Sequence, residues 1–185
     1  MGGIAMRYQS DLIQHYFDRG YIHQTTNAEA LDAKAMQQAI PAYIGFDCTA
    51  DSLHVGSLVQ IMMLRLLQKT GHKPIVLMGG GTTKVGDPSG KDTARPLLSD
   101  PDIENNKLGI RKIFEQYLTF GDCPTDSVMA ENAEWLDSLQ YINFLRVYGH
   151  HFSVPLMLRI VSLHTRLSRS HPMSFPQFYY AILHS

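Results

Sequence analysis

The sequence predicts an α/β domain built on a parallel sheet, and three observations carry that expectation. The chain has 185 residues, of which 44% are hydrophobic and 18% charged, enough to bury one sizeable core and too apolar for a disordered chain. Two short β-type runs, 42–46 and 75–78, flank one long helical stretch; strand, helix, strand over that distance is a βαβ unit, whose crossover requires parallel pairing. The second run empties into a glycine-rich stretch, and open parallel sheets bind ligands at the carboxyl ends of their strands.

Taken in order, residues 11–19 place Leu12, Ile13, Tyr16 and Phe17 at helical spacing, with Gly20 where a helix C-terminal glycine belongs. Thr26-Asn27-Ala28-Glu29 reads as a capping box opening a helix to about Gln38, which Pro41 ends. The run 42–46 reads as a strand. A helix from His54 to about Thr70 follows, with Val55, Leu58, Val59, Met62, Leu66 and Lys69 winding from an apolar to a polar side and Gly71 closing it. The run 75–78 reads as a fully apolar, central strand.

Residues 79–98 read as a long loop rich in turn formers, a feature more often functional than passive. Residues 101–118 read as a surface helix, 127–129 as a third strand, and 136–148 as a helix with Ile142, Phe144 and Leu145 inward. Beyond Phe152, helical patches at 156–167 and 175–183 are expected, with Pro155, Pro172 and Pro176 as breaks or first-turn residues. The organisation is therefore an N-terminal helical segment, 1–40, followed by the α/β domain, 41–185.

Charge divides the chain unevenly. The net charge of -1 offers no global basic field for a long nucleic acid. Asp137 is the last acidic residue; after it come four Arg, no Lys and five of the nine His. Cys48 and Cys123 are far apart in sequence and form no CxxC, so neither a disulfide framework nor a metal site is expected. A reducing, cytoplasmic setting fits, with no apolar signal core and no stretch near the roughly 18 apolar residues of a membrane span.

Among residues able to carry chemistry, His54-Val55-Gly56-Ser57 occupies the first turn of the helix after the first strand. Unpaired N–H groups and a positive dipole end suit that turn to phosphate; equally, His54 is a helix cap and Gly56 a close-packing residue. Gly90-Lys91 suggests a P-loop, but the required Gly and Ser/Thr positions hold Val85 and Asp92. No dinucleotide fingerprint follows the first strand, and no hydrolase motif stands out. The chemistry left is phosphoryl or nucleotidyl transfer, which needs mainly positioning and charge stabilisation. Lys91 and Arg95, four apart on the loop, suit a pyrophosphate, or are two solvated cations.

The segments Tyr43-Ile44-Gly45-Phe46-Asp47-Cys48-Thr49-Ala50-Asp51-Ser52-Leu53-His54-Val55-Gly56-Ser57, Gly86-Asp87-Pro88-Ser89-Gly90-Lys91 and Asn132-Ala133-Glu134-Trp135-Leu136 together resemble bacterial tyrosyl-tRNA synthetase, a class I aminoacyl-tRNA synthetase. The resemblance implies a Rossmann-like catalytic domain, incomplete at its C-terminus. It implies ATP-dependent activation of L-tyrosine to tyrosyl-adenylate, with Mg2+ accompanying ATP, then transfer to tRNA-Tyr. His54 and Gly56 match the first His and the Gly of the HIGH signature, and Ser57 stands at its second His. A hydroxyl there keeps one hydrogen bond without charge, weaker by about 1 kcal/mol.

By the same resemblance, Tyr43 meets the substrate phenol, Asp87 faces its α-amino group, and Tyr180 contacts the ammonium. Asp47 and Thr49 lie near the nucleotide, Thr82 and Asn132 near the tyrosine pocket, and Lys91 with Arg95 over the pyrophosphate. His184 replaces a Gln of the tyrosine site, and Val147 replaces an Asp. The ribose-binding segment, the KMSKS-like loop and the anticodon-binding domains have no counterpart, and the acid-free tail reads as truncated or diverged, or as a tRNA-facing surface. A homodimer through 136–178 is the family habit. For this chain the expectation is a truncated ligase with impaired activity alone; a non-catalytic ATP- or tyrosine-binding module and a non-functional fragment are the alternatives.

Overall fold

In the computed structural model, residues 8–86, 98–158, 164, 180, 182 and 183 are described. The elements run α1 (Asp11–Asp18), α2 (Ala28–Gln37), β1 (Pro41–Asp47), α3 (Val55–Lys69), β2 (Lys73–Gly79), α4 (Gly80–Val85), α5 (Asp100–Tyr117), β3 (Val128–Glu131), α6 (Ala133–Leu136), α7 (Tyr141–Val147), a 3-10 turn (Gly149–His151) and α8 (Val154–Met157). The strands form one parallel sheet in the order β1-β2-β3, so the βαβ expectation holds and β2 is central. Pro74, Val76 and Met78 are buried and the alternate residues of β2 half-buried, as for a strand covered on both faces.

The chain forms two compact units, one of Met1–Phe46, Ser52–Leu77 and Gly109–Ala130, the other of Asp47–Asp51, Met78–Leu108 and Glu131–Ser185. In the first, Ser10 caps α1 and Gly20 closes it at φ +69°, the left-handed value a helix-terminating glycine supplies. The cap of α2 is Asn27, whose Oδ1 accepts the Ala30 amide at 2.9 Å, one residue beyond the expected Thr26. Asn is as good an acceptor there as Thr. Pro41 does not end α2; it opens β1. The α2 carboxylate of Asp32 accepts from the Gln9 and Ser10 amides, each at 2.9 Å, and the Ser10 hydroxyl at 2.6 Å. Burial opposes its charge, but these bonds outweigh burial and lower its pKa.

Helix α3 buries Ser57, Ile61, Leu64 and Leu67, spaced to line one face. The expected stripe was rotated: Val55, Leu58 and Val59 are exposed. The stretch is apolar nearly all round, so periodicity could not choose its inner side. Gln68, near its end, has three acceptors in reach of its two Nε2 hydrogens, the Thr119 carbonyl at 2.8 Å, the Thr125 carbonyl at 3.0 Å and Ser127 Oγ at 3.2 Å, and its Oε1 accepts the Thr119 amide at 3.0 Å. One side chain thus ties the segment before β3 to α3. The expected surface helix at 101–118 buries Ile103, Ile110 and Phe114, so α5 is a core helix on one face. Phe114 packs edge-on against Phe46, ring centroids 4.8 Å apart.

In the second unit, Gly80–Val85 is helical rather than loop. The helix expected at 136–148 is shorter, α7 (Tyr141–Val147), and a separate short helix, α6, ends at Leu136 where it was expected to begin. Ser138 Oγ donates to the Trp135 carbonyl at 2.9 Å, satisfying an acceptor at the end of α6. Ile142 faces outward, 71% exposed, while Phe144 packs with Phe152 against buried Met157 and Ile182. Pro155 is a first-turn residue of α8, as expected. Most of the patches expected at 156–167 and 175–183 lie outside the described residues; Tyr180, Ile182 and Leu183 are helical.

Candidate functional site

The second unit gathers Asp47, Thr82, Asn132 and Tyr180, four of the residues singled out from sequence. Thr82 is fully buried, and its hydroxyl hydrogen has two acceptors in reach, Asp47 Oδ1 at 3.0 Å and the Gly79 carbonyl at 3.1 Å. That carbonyl already accepts Thr83 Oγ1 at 2.6 Å, and a carboxylate is the stronger acceptor, so the Thr82 hydrogen is directed to Asp47. Thr82 in turn accepts from Asn132 Nδ2 at 3.1 Å. The second oxygen of Asp47 accepts the Tyr180 hydroxyl at 2.8 Å. A continuous chain of donors therefore runs from Asn132 through Thr82 to Asp47, met from the other side by Tyr180.

Backbone groups hold Asn132 and the residue next to Asp47 as well. Asn132 donates its amide to the Met78 carbonyl at 3.0 Å, continuing the ladder beyond β3, and its Oδ1 accepts the Gly81 amide at 2.8 Å. Because Oδ1 accepts there, the carboxamide must turn Nδ2 toward Thr82. Cys48, next to Asp47, donates its amide to Thr83 Oγ1 at 2.8 Å, and its carbonyl accepts Asn106 Nδ2 at 2.9 Å. Burial, with the nearby Glu131 and Asp47 charges, pushes the Cys48 thiol up to about 12, so it stays protonated at neutral pH. Asp47 was expected beside the nucleotide; its bonds tie it to the residues expected around tyrosine.

In the first unit, His54 caps α3, Nδ1 accepting the Gly56 amide at 3.0 Å. An accepting Nδ1 leaves the ring hydrogen on Nε2 in the neutral form. A Cβ at position 56 would lie 2.8 Å from the His54 ring, which gives the glycine of the His-x-Gly pattern a steric cause. The capping reading is thus correct, and it leaves the outward nitrogen of an exposed imidazole as a donor at a helix N-terminus. Ser57 is buried on the inner stripe of α3. Tyr43 stands on the open face of β1, 61% exposed, and Thr49 is exposed in the bend after β1. Asp87, Lys91, Arg95 and His184 lie outside the described residues.

The sequence reading missed Glu131 and Lys107. Glu131 Oε1 accepts the Gly80 amide at 3.0 Å, and Oε2 pairs with Lys107 Nζ at 2.6 Å. Lys84, on α4, meets Asp137 at 2.7 Å and Asp100 at 3.5 Å. Singly, such charged residues resemble any surface pair, and nothing in their local sequence marks them. Among the described residues there is no cluster of three or more His, Cys, Asp or Glu suited to a metal, and no helix is long and apolar enough to cross a membrane.

Residues 34–185 match the family model of tRNA synthetases class I (W and Y). The chain is 60% identical over 176 residues to a tyrosine–tRNA ligase of Novosphingobium aromaticivorans, covering 95% of this chain and 43% of that protein. To the tyrosine–tRNA ligase of Rhodospirillum rubrum it is 57% identical over 175 residues, covering 95% and 42%. A C-terminally truncated mitochondrial tyrosyl-tRNA synthetase of Coccidioides posadasii superposes with a TM-score of 0.76 at 26% identity, over 97% of this chain and 50% of that one. The corresponding Aspergillus nidulans structure, at 24% identity and a TM-score of 0.79 over 93% of this chain and 51% of that one, shares the fold. The chain thus spans about 43% of the length of the first of these relatives.

Proposed function

The chain belongs to the class I tRNA synthetases of the tryptophan and tyrosine type, and from that premise we propose that it carries the amino-acid-activating part of a tyrosine–tRNA ligase. The observation that carries this reading is the chain Asn132, Thr82, Asp47, Tyr180. It fixes a carboxylate from both sides, at the carboxyl end of a parallel strand, where a cationic α-ammonium is the complementary group. Asp87 and His184 complete the tyrosine site in this proposal, with Tyr43, on the open face of β1, meeting the substrate phenol.

The reaction is attack of the tyrosine carboxylate on the α-phosphorus of ATP. A C–O–P linkage forms, the bond to the bridging oxygen breaks, and pyrophosphate leaves with its electron pair. In this proposal His54 Nε2–H and the N-terminus of α3 stabilise negative charge developing on the phosphates. Gly56 keeps the ring in that position, Thr49 and Ser57 belong to the nucleotide side, and Lys91 with Arg95 receive the pyrophosphate. Mg2+ enters as part of the nucleotide substrate. Transfer to tRNA-Tyr, in the cytoplasm, is proposed for the whole protein. A homodimer is proposed through the region of α7, where Tyr141 and Ile142 are exposed; size-exclusion mass at the 20.8 kDa of one chain would remove it.

Tyrosine-dependent exchange of labelled pyrophosphate into ATP tests the activation step. Exchange by the chain above a His54→Ala control supports the reading. Calorimetric binding of tyrosine or ATP without exchange supports a non-catalytic module instead, and absence of both overturns the proposal for this chain.

A further inference from the structure

Helix α4 is a poor helix by composition. Gly80-Gly81-Thr82-Thr83 combines the costliest residue short of proline with a β-branched pair, and no side chain of its own caps it. Its first two amides are instead taken by consecutive residues from the end of β3: Glu131 Oε1 accepts Gly80 N–H at 3.0 Å, and Asn132 Oδ1 accepts Gly81 N–H at 2.8 Å. The glycines are what admit these acceptors. A Cβ on Gly80 would collide with the Glu131 carboxylate, and one on Gly81 would meet Asn132 Oδ1 and Ala133 Cα at 3.2 Å.

Glu131 is itself fixed. Its other oxygen pairs with Lys107 Nζ at 2.6 Å, and Lys107 also meets Glu104 at 2.7 Å. Both partners of the Lys107–Glu131 pair are mostly shielded, the side chains 22% and 17% exposed, so the pair is less screened than a surface contact. Burial works against the Lys107 ammonium, but the bonds to Glu104 and Glu131 outweigh it and raise its pKa. Helix α5 therefore sets Glu131, Glu131 sets the start of α4, and two residues further on α4 presents Thr82 to Asp47.

We propose that Glu131, oriented by Lys107, is a positioning residue for the tyrosine subsite, acting on Thr82 through the first turn of α4. The effect on tyrosine rests on the function proposed above; the effect on α4 does not. The test uses the full chain as wild type, Glu131→Ala, Glu131→Gln and Lys107→Met. It reads amide hydrogen exchange at Gly80 and Gly81 by NMR, tyrosine affinity by calorimetry, and melting temperature. Glu131→Ala is expected to speed Gly80 exchange by about tenfold or more and to weaken tyrosine binding by about tenfold. Glu131→Gln, which keeps an acceptor, is expected to restore both to within about threefold. Lys107→Met is expected to fall between them.

Unchanged Gly80 exchange in Glu131→Ala overturns the proposal. So does faster exchange with unchanged tyrosine affinity, which would leave Glu131 a structural cap only. Should Glu131→Ala not fold, Lys107→Met and Glu131→Gln decide: wild-type exchange at Gly80 in Lys107→Met overturns the relay. A wild-type chain that binds no tyrosine overturns the subsite reading, while the exchange data still decide whether Glu131 sets α4.

Discussion

The Tyr180 hydroxyl donates to Asp47 Oδ2 at 2.8 Å across 133 positions of sequence. A hydroxyl bonded to a carboxylate contributes about 1.5–3 kcal/mol, more than a neutral pair, so the contact both anchors the helical residue Tyr180 and aims the charge of Asp47. Tyr180→Phe removes only the donor. It is expected to weaken tyrosine binding by about tenfold or more with the fold retained, measured by calorimetry alongside circular dichroism. Wild-type affinity in that variant would detach Tyr180 from the site.

His54 combines a cap with a proposed catalytic donor, and two substitutions separate these roles. Asn is a strong N-cap residue, so His54→Asn is expected to keep the melting temperature while abolishing pyrophosphate exchange. His54→Ala is expected to lose exchange and about 1 kcal/mol of stability besides. Urea unfolding and exchange assays on both variants check this. Full exchange by His54→Asn would reduce His54 to a cap.

Gln68 spends both ends of its carboxamide on the segment before β3, meeting Thr119 twice, Thr125 and Ser127. Leu conserves much of the volume but none of these bonds. Gln68→Leu is expected to cost about 1–3 kcal/mol in urea unfolding and to leave tyrosine affinity within about twofold, since Gln68 lies outside the proposed site. A neutral result would mean that water replaces these bonds without loss.

How much of this could be read from the sequence depended on where the stabilising partners lie. The β1–α3–β2 unit was legible because its signals are local: β-branched and aromatic runs, a capping His54, and Gly71 at φ +85° closing α3. Helix α4 was not, because its own residues disfavour helix and the acceptors that hold it, Glu131 and Asn132, come 51 positions later. Tertiary context there overrides propensity. The inner face of α3 was misjudged for a related reason, since Val55 and Ile61 are equally apolar and only the packing shows that Ile61 is inside. Within the site, the resemblance to tyrosyl-tRNA synthetase marked Thr82, Asn132 and Tyr180. It did not join Asp47 to them, because a strand gives no hint of which distant hydroxyls converge on its last residue.

His72 gives the pH dependence of the first unit a definite sign. The ring is buried and its Nδ1 accepts the Ile40 amide at 3.1 Å, just before β1. Burial lowers its pKa, and protonation would replace the acceptor with a second donor facing an N–H. The unfolded chain takes up the proton near pH 6.5, whereas the folded protein resists it to lower pH. Above that value both states are neutral at this group and its contribution is fully present. As pH falls below about 6.5 the unfolded state binds more protons and stability declines until the folded ring also titrates. Urea midpoints measured from pH 7.5 down to 5.5 are expected to fall in the wild type, and to fall less in His72→Gln, which keeps an acceptor without a titrating group. Equal slopes in the two proteins would show that the pH dependence does not come from His72.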